Sequence, residues 1–312
     1  MSTTAVRISP TAGRPQNHAV KIAEHASEAW YGAHGSGDLD IPLSVVAALS
    51  LIDPRHGERH GIAAELIKSG PDEFADAMRG IWTMFARIRP DLFNPVYPLL
   101  VLWVDRDRPM TPENRRAAKR VADAVLRIDL LGLTGTENRH DVDLLGLVLT
   151  LLRPRSALQG RGQYYTATSV ADALADVTMM GDLTSWDAAP GAKIHDPACG
   201  TGGLIRGAAE SLRRRGADPA DYEWYGNDID ALAIAGFAVN AVLWGLGHNV
   251  VLGVADSLCE PDWTRGALRM RQETIAVARD AERTAHFRDA VRHVDRLLNG
   301  ITSDTAAPPD AH

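Results

Sequence analysis

The chain has 312 residues, 45% hydrophobic and 23% charged, a globular balance sufficient for one large folded unit or two ordinary ones. Its only two cysteines, Cys199 and Cys259, exclude a disulfide framework and a cysteine-built zinc site, and suit a reducing cytoplasm. The net charge of -7 means that any nucleic-acid contact must use a local basic patch or a partner subunit; no apolar run approaches the ~18 residues of a membrane span, and the N-terminus shows no secretory h-region.

In chain order, residues 1–17 are polar and rich in Pro, Gly, Ser and Thr and read as a disordered tail. Residues 18–157 read as an all-helical N-terminal domain. Val20, Ala23, Ala26 and Trp30 recur at helical spacing, and the apolar run from Ile41 to Ile52, with Pro42 near its first turn, reads as a buried helix. Thr111 before Pro112 is a cap followed by proline at the first helical position. Asp143 to Leu152 is a further buried helix, closed by Pro154. After the glycine-rich junction at 158–162 the pattern changes. Strands are predicted at 193–195, 223–226 and 249–253, with helices at 204–215 and 231–246 between them, an alternation that means a parallel sheet of βαβ units. Residues 264–300 read as an arginine-rich C-terminal helix with an apolar stripe at Phe287, Val291, Val294 and Leu298, and 301–312 as a second disordered tail.

The stretch with most chemical content is Asp196-Pro-Ala-Cys-Gly-Thr-Gly-Gly203, between a short apolar strand and a helix. Strand, glycine turn and helix is the geometry of a nucleotide-type cofactor site: glycines let the backbone turn tightly and approach a ligand, and the helix N-terminus offers free N–H groups. Asp196, Ala198, Gly200 and Gly202 are the candidate residues of that turn. Asp228 follows the second strand and is placed to accept from both hydroxyls of a ribose, Asp256 follows the third and can reach an adenine edge, and Ile229 can lie on the adenine face. A hydroxyl-rich loop, Gly162-Gln-Tyr-Tyr-Thr-Ala-Thr-Ser-Val170, opens a predicted helix over 171–179, and its side chains either cap that helix or bind a carboxylate. Amine, carboxylate, ribose and adenine together describe S-adenosylmethionine.

The segments Gln163-Tyr-Tyr-Thr-Ala167, Asp196 to Gly203, Gly226-Asn-Asp-Ile-Asp230, Val239-Asn-Ala-Val-Leu-Trp-Gly-Leu246 and Ala255-Asp-Ser-Leu258, in that order, resemble the N6-adenine DNA methyltransferases, above all the modification subunit of type I restriction systems. The likeness covers about residues 160–258. It implies a partial Rossmann-like methyltransferase sheet over 158–263, preceded by the helical domain and followed by the C-terminal helix. It implies S-adenosylmethionine as cofactor, with Tyr165 and Thr166 at its methionine end, Asp196, Ala198, Gly200 and Gly202 at the turn, Asp228 at the ribose, and Ile229 and Asp256 at the adenine. It also implies methyl transfer to adenine N6 in DNA, and a specificity or catalytic partner subunit. The family's usual Pro after the Thr is Ala167 here.

One part of the family pattern is missing. No Asn-Pro-Pro-Tyr or Asn-Pro-Pro-Phe tetrad, which would hold the amino group of a flipped adenine, follows Asp256, and no apolar strand follows it either. No catalytic residue is therefore assigned. A second reading is a cofactor-binding or assembly module that borrows the catalytic half from a partner. Asn94-Pro-Val-Tyr97 resembles the tetrad but reads as a helix N-terminal turn, and Glu260-Pro-Asp-Trp263 reads as a surface loop. Asp228 and Asp230 also read as turn acids, Asp256 as a cap, Tyr164 and Tyr165 as packing residues, and Cys199 as a small side chain in a tight turn. No His spacing suggests a metal. A dinucleotide dehydrogenase is disfavoured: the glycine pattern is not Gly-x-Gly-x-x-Gly, and Asp228 lies well beyond the ~20 residues that separate turn from ribose acid in that class.

Overall fold

A computed structural model of the chain describes residues 15–34, 37–54, 57–153 and 190–304, with side chains as far as residue 284. Several expectations lie outside the described residues: most of the two tails (1–14 and 305–312), the close at Pro154, the junction at 158–162, the loop bearing Tyr164, Tyr165 and Thr166, and the helix over 171–179; of the expected tails, residues 15–17 open the first helix and 301–304 end the last. The side chains of Phe287, Val291, Val294 and Leu298 lie outside them as well.

Eight helices lead the described chain: α1 (Pro15–His34), α2 (Asp40–Ser50), α3 (Arg59–Lys68), α4 (Pro71–Ile88), α5 (Phe93–Val104), α6 (Pro112–Arg127), α7 (Leu130–Thr134) and α8 (Leu144–Leu152). Their starts are chemically marked. Thr111 accepts from the Asn114 N–H, Asp129 from Gly132 and Asp143 from Gly146, and the Glu73 side chain reaches back to the Gly70 N–H ahead of Pro71. α1 buries one stripe (Ala19, Ile22, Ala23, Ala26, Trp30) against α6 and α8. In α2 every residue from Ile41 to Ser50 is buried, which places it at the centre of the block and explains why its sequence shows no polar face.

The sheet has three parallel strands in the order β1 (Lys193–Asp196), β2 (Glu223–Asp228), β3 (Val250–Val254). His195 lies beside Tyr225, Asp196 beside Gly226, and Asp228 beside Val254, so the carboxyl ends of all three strands share one edge. α9 (Gly203–Arg214) returns over β1, and α10 (Ala231–Leu243) leads from β2 to β3. α10 touches β2 and β3 on one side and α5, α8 and α2 on the other. Buried between sheet and helical block, it is apolar nearly all round except for Asn240. One continuous core runs from Ala19 in α1 to Leu252 in β3. On the opposite face of the sheet, α11 (Trp263–Asp304) lays Trp263 against Gly253, where an added Cβ would come within 2.6 Å of the indole. The outer edge of β3 is covered by the short 3-10 turn Pro90–Leu92, held by a buried two-pronged pair between Arg89 and Asp91.

Candidate functional site

The glycine turn is built from both sides. Toward the strands, the Cys199 N–H donates to the Asn227 carbonyl (3.0 Å), and the Gly200 N–H donates to Asp228 Oδ2 (2.8 Å). The acid that ends β2 therefore holds the turn that follows β1. Asp228 Oδ1 accepts from the Asp230 N–H, and the Asp228 carbonyl accepts from Ala255, which ties the same acid to the loop after β3. Gly200 (φ 53°) and Gly202 (φ 91°) both occupy left-handed backbone. Gly200 faces open space, whereas a Cβ on Gly202 would sit 2.6 Å from the Phe237 ring. Phe237 also lies 2.6 Å from a Cβ built on Gly226, so one aromatic ring fills the space that these two glycines leave.

Asp196 is buried. Its Oδ1 accepts from the Ala198 N–H (3.1 Å), and its Oδ2 is buried with no hydrogen-bond partner. Burial raises its carboxyl above the usual range; the Ala198 N–H and His195 oppose that, and the Asp228 charge adds to it. Cys199 lies buried inside the turn, its thiol pushed well up by burial and then by the charges of Asp196 and Asp228.

Ile229 is 62% exposed, Val254 53% and Leu258 93%, which leaves three large apolar side chains in water at or just beyond the ends of β2 and β3. Asp256 lies at the same end of the sheet, but its Oδ1 accepts from the Leu258 N–H (2.9 Å) within its own turn. That N–H, with the Cys259 thiol beside it, holds the Asp256 carboxyl below the usual range. Cys259 is exposed, and its own thiol is raised by the Asp256 hydrogen bond. Tyr165 and Thr166 lie outside the described residues. Asn94 stands in the first turn of α5, and its amide donates to Thr274 Oγ1 (2.7 Å) of α11. Asn94 and Pro95 line a cavity of about 750 Å³ beside β3, shared with Val254, Pro261 and Trp263. The two tetrad-like fragments thus meet beside β3. Among the described residues no group of three His, Cys, Asp or Glu side chains could hold a metal ion, and no helix is long and apolar enough to cross a membrane.

Sequence reasoning gave no role to a second layer behind the turn. Asp143, the cap of α8, is buried; its Oδ2 accepts from Thr201 Oγ1 (2.6 Å), and its Oδ1 accepts from the Gly146 N–H (2.9 Å) and Asn240 Nδ2 (2.8 Å). Asn240 Nδ2 also donates to the Thr201 carbonyl (2.9 Å). The available signals were an aspartate directly before an apolar run and a lone amide inside an apolar helix.

Residues 148–280 match the model of the family described as N-6 DNA Methylase. The chain is 36% identical over 119 residues to the type II methyltransferase M.MamI of Microbacterium ammoniaphilum, a stretch covering 35% of this chain and 32% of that protein. It is 33% identical over 89 residues to the type I restriction enzyme MjaIX methylase subunit of Methanocaldococcus jannaschii, covering 28% of this chain and 14% of that one. The chain thus spans about a third or less of the length of these relatives. A solved type I restriction-modification system methyltransferase subunit from Streptococcus thermophilus superposes with a TM-score of 0.45 at 14% identity, over 79% of this chain and 60% of that one. Residues 148–280, which hold the glycine turn, the acids ending β1 and β2, and Asn240, are thus the part of the chain similar to the N6-adenine DNA methyltransferases.

Proposed function

We propose that this chain binds S-adenosylmethionine at the carboxyl ends of β1, β2 and β3, and that it serves methyl transfer to adenine N6 in DNA. The observation that carries the reading is the pairing at the turn: the Gly200 N–H sits on Asp228, and beside it Asp196 keeps a buried oxygen without a partner. A buried unpaired carboxylate oxygen is costly, and a donor on a cationic ligand removes that cost. The open space at Gly200 admits a ligand backbone-close. In this reading Asp196 takes the amino group, and Asp228, with lone pairs left on both oxygens, takes the ribose hydroxyls. Exposed Ile229 and Leu258 flank the adenine, with Asp256 near its edge. Tyr165 and Thr166 are assigned to the methionine carboxylate.

When bound, S-adenosylmethionine supplies a methyl group activated by a sulfonium. The chain's own residues bind and orient it, which is where catalysis by proximity begins. The reading assigns no residue of this chain to the adenine amino group. One relative is named as a subunit of a type I restriction enzyme, and by that likeness we assign DNA contact and target choice largely to a partner, with a specificity or catalytic subunit as the expected companion. The corresponding division of the chain is a helical domain over 18–157, a Rossmann-like cofactor domain over 158–263 and a helical segment over 264–300.

Calorimetric titration of the purified chain with S-adenosylmethionine tests the reading. Saturable binding is expected, weakened about tenfold or more by Asp228→Ala, since hydrogen bonds to a carboxylate are each worth about 1.5–3 kcal/mol. No binding at millimolar ligand would sink it.

A further inference from the structure

We infer that Asp143, in the helical block and outside the segment matched to the methyltransferase family, is a positioning residue for the cofactor turn, acting through Thr201. The inference rests on the cofactor reading above. Thr201 stands between Gly200 and Gly202, and its hydroxyl and its carbonyl are both held from behind. Its hydroxyl donates to Asp143 Oδ2 (2.6 Å), and its carbonyl accepts from Asn240 Nδ2 (2.9 Å), which in turn donates to Asp143 Oδ1 (2.8 Å). The three residues come from α8's cap, the glycine turn and α10, and all three are buried.

The surroundings are shaped for this contact. A Cβ on Gly146 would fall 2.5 Å from Thr201 Oγ1 and 2.3 Å from Asp143 Oδ2, and a Cβ on Gly236 would fall 3.2 Å from Thr201 Cγ2. Glycine at 146 lets the first turn of α8 come up to the hydroxyl, and glycine at 236 lets α10 pass under the methyl. The two flanking glycines have no side chain to fix them and occupy left-handed backbone that other sequences would leave. Thr201 is therefore the anchor of the turn, and Asp143 is what it is anchored to. With the inner side held, the Gly200 N–H stays on Asp228 and the outer face of the turn stays clear. The helical block in this way sets how well the turn is preorganised for the ligand.

The test compares Thr201→Val, which keeps the shape and removes the donor, with Thr201→Ser, which keeps the donor. Met78→Ala, in the buried core of α4 away from the turn, serves as a stability control. In the absence of ligand, amide hydrogen exchange in the turn peptide is expected to speed up about tenfold in Thr201→Val, the loss of one hydrogen bond to a charged group. It should be near wild type in Thr201→Ser, and Met78→Ala should change it no more than it changes exchange in the rest of the shared core. With ligand, Thr201→Val should bind S-adenosylmethionine about tenfold more weakly, while Met78→Ala loses stability and keeps its affinity. Asp143→Asn should resemble Thr201→Ser, because the amide still accepts from Gly146 and Asn240 and the hydroxyl can reverse to accept from it. If wild type does not bind the cofactor, the function reading fails and the exchange measurement still decides the anchor. Unchanged exchange in Thr201→Val, or equal loss of affinity in Met78→Ala, would overturn the anchor itself.

Discussion

Asp196 and Asp228 end neighbouring strands and play different parts because their surroundings differ. Asp228 is satisfied by two N–H groups, whereas Asp196 is buried with one oxygen idle. Burial leaves Asp196 with a raised carboxyl pKa, so the native state keeps its proton at pH values where the unfolded chain has released it. In that window the native state binds more protons, and stability falls as pH rises through it. The window opens at the ordinary carboxylate value and closes at the raised one. Urea denaturation at a series of pH values should therefore show Asp196→Asn with a shallower decline than wild type across this range. An identical slope would mean that Asp196 ionises as freely in the fold as out of it. A cationic ligand reverses the preference by favouring the carboxylate, so S-adenosylmethionine should stabilise wild type more than Asp196→Asn.

At the scale of elements, α10 carries the most. Its cap, Asp230, accepts from the Leu232 and Ala233 N–H groups and also pairs with Arg153 at the end of α8, both side chains being nearly out of water (5% and 9% exposed). Loss of a cap alone costs about 1 kcal/mol. Removing one member of a buried ion pair costs more, up to about 3–5 kcal/mol. Asp230→Ala should thus lower the unfolding free energy by the larger figure and Asp230→Asn by less, read from chemical denaturation midpoints. Equal effects near 1 kcal/mol would reduce the Arg153 contact to a bystander. The elements themselves were legible in the sequence. Strand positions follow from short apolar runs bounded by Asp and Gly, and the helix start at Pro112 from the Thr111 side chain before it. The expected helix over 231–246 ends at Leu243, because Gly245 and Gly247 take left-handed backbone. The turn itself was legible because its glycines and acids are contiguous. The link from Asp143 to Thr201 and Asn240 was not, since it joins residues far apart in the chain and leaves no local period.

In the molecule as a whole, helical block and sheet share one core. Trp30 and Trp82 are fully buried on the helical side, Trp224 on β2 and Trp244 just after α10, within the same cluster. Trp244 Nε1 donates to the Val142 carbonyl (3.1 Å), so even the indoles bridge the two parts. Parts that share a core lose it together. Far-UV circular dichroism and tryptophan fluorescence should therefore trace one coincident urea transition for the described body. Two separated transitions would show that block and sheet hold their structure independently. The sequence pattern divides the chain at its glycine-rich junction, and such a division follows composition, whereas cooperativity follows contact.

The two cysteines give this site a built-in chemical contrast. Cys199 is sealed under the turn and Cys259 stands in water just past Asp256. A maleimide dye added to the native protein in mildly alkaline buffer will therefore attach at the rim alone, a reporter position needing no engineered thiol. Alkylation of Cys199 in turn becomes a clock for opening of the turn, since the reagent reaches it only when that part of the fold gives way.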